Sequence, residues 1–221
     1  MLITDVGKLI DIQDRILADI GKCKEDLIIS GSFAFVRAFS QHRIIDHIQI
    51  FTKNPEKALE KLEVTLPFEN KSRSERWHLP EKTYQLSFNI YRDNMNIKLD
   101  LIKDSFHTQF EKTKLEIGLY LEDLEGIYHR VLTDLINNPE EIIYIVDTAY
   151  IDNEYHLIDF VDIYSKNTGI KTETLILCFK KALNFIEKDR FKTDRILREY
   201  GINISSNTLK NWLEAKIEEL S

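Results

Sequence analysis

The chain has 221 residues, of which 43% are apolar and 30% charged, enough for a packed core and too well mixed in sign for a disordered chain. Residues 1–118 hold 18 basic and 18 acidic residues and residues 119–221 hold 12 and 19, so the net charge of −7 belongs to the second half and excludes a generally basic nucleic-acid protein. No apolar run approaches the roughly eighteen residues that span a bilayer, and Asp5, Asp11, Asp14 and Asp19 are out of place in a secretory leader, so a cytoplasmic location with no membrane partner is expected.

Residues 2–22 place Leu2, Val6, Leu9, Ile10, Ile12, Ile16, Leu17 and Ile20 at near-helical spacing and predict an amphipathic helix. Asp26 to Ser30 predicts a short buried strand that runs into Gly31-Ser32, with a helix over Phe33 to Phe39 behind it. His47 to Thr52 is a second strand. Asn54-Pro55 then opens a helix through about Leu62, with proline at its first position. Three strands follow: Glu75 to Leu79, stopped by Pro80, then Thr83 to Tyr91 and Asn96 to Ile102 around an Arg92-Asp93-Asn94 turn. A further strand is predicted over Leu115 to Tyr120. Beyond it only helical patterns recur, over Leu121 to Ile136, Tyr155 to Tyr164, Glu173 to Ile186, Thr193 to Tyr200 and Thr208 to Leu220, with Gly169 and Gly201 where C-caps are expected. The order predicts an α+β fold, a mixed sheet with helices over residues 1–118, followed by a helical bundle over residues 119–221.

Seven glycines leave no GxGxxG or Walker A loop, and Cys23 and Cys178 are too far apart for a zinc ribbon and suit two reduced thiols. Chemistry-bearing residues cluster in the first half. A strand ending in Gly31-Ser32 can bring backbone N–H groups and a hydroxyl close to a phosphate, although any strand-to-helix turn favours small residues there. Asp46, His47 and Gln49 open or occupy the next strand. Asp100 sits among apolar neighbours in Ile97-Lys98-Leu99-Asp100-Leu101-Ile102, where a buried carboxylate needs a cation, a metal or a polar cleft. Because strand side chains alternate, either His47, Gln49 and Phe51 face the cleft, the preferred register, or Asp46, Ile48 and Ile50 do. Outside this set, Arg73, Arg76, Trp77 and His78 form a basic, aromatic stretch. The basic run Lys180 to Arg198 can hold phosphates or an RNA backbone but reads first as the solvated face of two helices, His129 reads first as a satisfied surface residue, and the Asp159 and Asp162 pair reads equally as a ligand contact or a solvated acidic stripe.

The Gly31-Ser32 turn, the His42-Arg43 pair, His47-Ile48-Gln49-Ile50-Phe51-Thr52 and the Asp100 strand, in that order, resemble the nucleotidyltransferase superfamily of the polymerase-β type. They are most similar to its AbiEii-like branch of bacterial abortive-infection and toxin–antitoxin proteins. Arg130 and Asp159-Phe160-Val161-Asp162-Ile163-Tyr164 resemble that branch's helical half. The resemblance implies a nucleotidyltransferase-like mixed sheet and transfer of a nucleotidyl group from a nucleoside triphosphate to an RNA or protein acceptor. It further implies Mg²⁺ as cofactor and an antitoxin-like protein partner. Asp100 would be the metal ligand or base, Gly31 and Ser32 would hold the triphosphate, and Lys98 and Arg130 would offset its charge. His47 and Gln49 stand where the superfamily's paired carboxylates are expected, and shifting the match by one residue recovers only Asp46. The alternative is a catalytically degenerate module that keeps the fold and binds a nucleotide or nucleic acid.

Overall fold

The computed structural model describes residues 5–23, 25–78, 81–104, 106 and 109–221. It divides into two compact units, residues 1–34 with 45–127 and residues 35–44 with 128–221.

The first unit begins with α1 (Val6–Gly21), capped by the Asp5 carboxylate, which accepts from the Lys8 N–H at 2.9 Å. Its buried residues Leu9, Ile12, Gln13, Ile16, Leu17 and Ile20 form one stripe, as the spacing requires. Gln13 on that stripe donates to the Ile45 carbonyl at 2.7 Å. The sheet has seven strands in the order β3-β4-β5-β2-β1-β7-β6. These are β1 (Ile28–Ile29), β2 (His47–Thr52), β3 (Phe68–His78), β4 (Glu81–Arg92), β5 (Met95–Lys103), β6 (Lys112–Lys114) and β7 (Tyr120–Glu122). β2 runs parallel to β5 and β1 parallel to β7, while the β3–β4, β4–β5, β1–β2 and β6–β7 pairs are antiparallel. Helix α2 (Gly31–Ala34) follows β1, and α3 (Pro55–Leu62) follows β2. Asn54 caps α3 by accepting from the Lys57 N–H at 3.1 Å.

The strand predicted over Leu115 to Tyr120 is a correction. The chain turns there instead: Gly118 takes φ 91°, its N–H reaches the Leu115 carbonyl at 3.0 Å, and the short strands β6 and β7 flank the turn. The short strand predicted over Glu75 to Leu79 is the end of the longer β3, while Leu79 and Pro80 lie outside the described residues.

The second unit opens with a π-helical turn over Phe35–Ser40, where a continuous α-helix over Phe33 to Phe39 was expected. Its helices are α4 (Leu124–Asn137, which starts just inside the first unit), α5 (Ile142–Glu154), α6 (Leu157–Thr168), α7 (Thr172–Lys188), α8 (Arg190–Glu199) and α9 (Ser206–Leu220). Gly169 and Gly201 close α6 and α8 with φ 71° and 69°. α5 has no counterpart in the sequence reading. Ile142, Ile143, Ile145, Val146, Asp147, Thr148, Ala149 and Ile151 are all buried, so the helix has no polar face to mark its period, and its N-cap Glu141 makes no side-chain cap bond. Among the described residues no helix is long and apolar enough to cross a membrane.

Candidate functional site

Alternation sorts the central strands into two unlike faces. On one, Leu86, Phe88 and Ile90 of β4, Ile97, Leu99 and Leu101 of β5, and Ile48 and Ile50 of β2 are all buried. The other carries Gln85, Ser87 and Asn89, then Lys98 and Asp100, then His47 and Gln49. The register sets His47 opposite Lys98, Gln49 opposite Asp100, and Asp100 opposite Ser87. One end of this polar face closes on an apolar cluster of Ile28, Phe51 and Ile102, with Tyr120 against it.

Asp100 is 4% exposed and well satisfied. Its carboxylate accepts from the Ser87 hydroxyl at 2.5 Å and from the Lys98 ammonium at 3.0 Å, and the Gln85 amide donates to Ser87 Oγ at 3.1 Å. Lys98 is half exposed, so the pair opens toward solvent from its side. The Gly31-Ser32 turn lies over Gln49. The Gln49 carboxamide oxygen accepts from the Phe33 N–H at 3.4 Å, and an added Cβ on Gly31 would stand 3.0 Å from that oxygen. Gly31 also has φ 65°, a backbone that L side chains adopt only under strain. Gly31→Ala is therefore expected to cost about 1–3 kcal/mol, read as a shift in the urea unfolding midpoint. The Ser32 hydroxyl is buried and has no hydrogen-bond partner. Such an orphan costs about 1–3 kcal/mol that a ligand oxygen would restore.

Gly31, His47, Gln49, Lys98 and Asp100 thus gather around one stretch of sheet, with Ser32 in the turn beside them. Asp46 stands just before β2, next to His47. It is exposed at the mouth of β2, on the side of Ile48, and its Oδ1 lies 3.4 Å from His47 Nδ1. Arg130 is on α4 in the second unit and is 1% exposed. The side chains of Arg76, Trp77 and His78 lie outside the described residues. Asp159 and Asp162 are exposed on α6, and His129 is buried with its ring 4.9 Å from that of Tyr164. In the basic run, Lys181 and Lys192 line an open cavity of about 610 Å³, but so do Glu140 and Glu141, and it presents no single sign of charge.

Sequence reasoning missed two groups. Ser30 and Glu122, at the ends of β1 and β7, form a buried hydrogen bond beside the Gly31-Ser32 turn. In the second unit Asp147 on α5 accepts two bonds from Arg43, both at 2.7 Å, and a third from His42 Nε2 at 2.9 Å. Burial alone would raise the Asp147 pKa, but the Arg43 charge and hydrogen bonds, joined by His42, more than offset it and hold the carboxyl well below the usual range. The His42 ring stacks on Tyr150 at 4.2 Å. The His42-Arg43 motif was legible in the sequence, whereas its acidic partner lay in the unrecognised α5.

The polar face does not fit a two-metal centre. Asp100 supplies one hard anionic donor and is already paired with Lys98, and its strand neighbours His47 and Gln49 are poor Mg²⁺ ligands. Among the described residues no three His, Cys, Asp or Glu side chains converge to hold a metal.

No protein-family model and no curated protein matches the chain. Its fold is similar to that of JHP933 from Helicobacter pylori, with a TM-score of 0.59 at 11% identity over 100% of this chain and 93% of that one. Looser likenesses are to a proposed nucleotidyltransferase from Helicobacter pylori (TM-score 0.48, 13% identity, covering 97% and 96%) and to the nucleotidyltransferase toxin MenT4 from Mycobacterium tuberculosis (TM-score 0.39, 13% identity, covering 84% and 67%). The first likeness establishes a shared α+β architecture with its helical C-terminal region.

Proposed function

We propose that the chain is a nucleotidyltransferase that uses the polar face of β2, β4 and β5, transferring a nucleotidyl group from a nucleoside triphosphate to a hydroxyl of an RNA or protein acceptor. The observation that supports this reading is the register pairing of Gln49 with Asp100, beside a Gly31-Ser32 turn whose buried hydroxyl lacks a partner. The acceptor oxygen attacks the α-phosphorus, the bond from that phosphorus to the bridging oxygen breaks, and pyrophosphate leaves. Asp100 takes the acceptor's proton, and the Lys98 ammonium, 3.0 Å from Asp100, faces the charge that builds on the phosphate. Gly31 and Ser32 hold the triphosphate, and His47 and Gln49 take its remaining polar contacts. A bacterial cytoplasmic setting in a toxin–antitoxin or phage-defence pair, with an antitoxin-like partner, follows from the sequence resemblance.

A second reading is favoured by the donor set itself. With amide and imidazole in place of the carboxylate pair, the chain is a module that binds a nucleotide or nucleic acid without transfer. The two part in one experiment. The purified chain is incubated with each labelled nucleoside triphosphate, with and without Mg²⁺, and with total RNA or protein, while its melting temperature is followed. Transfer of label to an acceptor is the expected result. Stabilisation by the triphosphate without any transfer supports the module, and neither effect removes both readings.

A further inference from the structure

We infer that Glu122 is a positioning residue that braces the Gly31-Ser32 turn from the side opposite Gln49. β1 lies between β2 and β7, with Ile29 opposite Ile50 on one flank and Leu121 on the other. One residue further along, Ser30 donates its hydroxyl to the Glu122 carboxylate. Both residues are buried, at 0% and 2% exposure. A carboxylate so far from water is costly unless hydrogen-bonded, so this pair is maintained against a penalty.

A second observation is independent of that bond. Gly126 stands in the first turn of α4. An added Cβ there would meet Glu122 Cγ at 2.5 Å and Cδ at 2.6 Å, and Phe110 Cβ at 2.9 Å. The glycine leaves the space through which the Glu122 stem reaches Ser30.

From Ser30 the chain is held at each step. The Ser30 carbonyl accepts from the Ala34 N–H at 3.4 Å, Gly31 takes the left-handed conformation, and Gln49 accepts from the Phe33 N–H. The hydroxyls of this segment then divide in role. That of Ser30 is tied to Glu122, and that of Ser32 is left for a ligand oxygen. The brace stands on these contacts. What the turn holds, a triphosphate, rests on the function proposed above.

Hydrogen–deuterium exchange on the full chain tests the brace with or without a ligand. Glu122→Ala removes the acceptor, and Gly126→Ala displaces it without removing it. Each is expected to speed exchange at the amides of residues 31–34 by about tenfold or more, with amides 85–101 of the β4–β5 hairpin unchanged. Glu122→Gln still offers Ser30 an oxygen and is expected to return exchange to within about threefold of wild type. Inorganic triphosphate affinity should follow the same order. Unchanged exchange at 31–34 in both alanine variants, or equal acceleration across the whole unit, overturns the inference. If the wild-type chain binds neither inorganic triphosphate nor any nucleoside triphosphate while the exchange pattern is as expected, the brace stands and the nucleotide reading falls.

Discussion

On the function proposed above, Asp100→Asn is expected to lower nucleotidyl transfer by about 10²–10⁴-fold, the range for loss of a general base, while leaving the chain folded. The substitution is nearly isosteric. The Ser87 hydroxyl, 2.5 Å from the carboxylate, can still donate to the amide oxygen. The Lys98 ammonium loses its partner, but Lys98 is half exposed and water replaces the carboxylate at little cost. Asp100→Ala is a poorer probe, because it strands the Ser87 hydroxyl and adds about 1–3 kcal/mol of destabilisation. The measurement is label incorporation at equal protein concentration, with the melting temperature recorded in parallel. Transfer by Asp100→Asn above about a tenth of wild type, far outside that range, would remove Asp100 from the chemistry.

Asp147→Ala is expected to destabilise the second unit by about 3–5 kcal/mol, because it leaves the Arg43 guanidinium buried without a counter-charge. In a domain of marginal stability that is enough to unfold much of the population at 37 °C. Asp147 to Leu with Arg43 to Met in the same chain is expected to recover most of the loss, since an apolar pair of similar volume escapes the desolvation penalty. Urea unfolding followed by near-ultraviolet circular dichroism separates the two variants. A recovery no better than Asp147→Ala would mean that the pair also supports the π-helical turn through geometry that leucine and methionine cannot supply. The same carboxylate sets an acid limit. Its pKa is depressed on folding, so its contribution is fully present above the unfolded-state value of about 3.9 and is lost as pH falls below it. Unfolding of this unit should therefore steepen below about pH 4 in wild type and lose that steepening in the doubly apolar variant.

What the sequence determined by itself is local and periodic. Amphipathic stripes gave α1, α4 and α6 to α9, and the Asn54-Pro55 start signal gave α3. Alternation gave β2, β4 and β5, and the αL glycines marked where α6 and α8 stop. The same alternation placed His47, Gln49 and Phe51 on one strand face, because a period of two is a property of the backbone and needs no partner. Only the tertiary structure decided which strands lie side by side. β5 starts 43 residues after β2 ends, yet their parallel register is what brings Gln49 against Asp100. No spacing rule encodes a pairing of that range. The Ser30–Glu122 bond, 92 residues apart, and the Arg43–Asp147 pair, 104 apart, were invisible for the same reason. Each joins one ordinary polar residue to another, and burial alone makes them matter: in water such a contact is worth little, whereas inside the fold each unpaired half would pay its full desolvation cost.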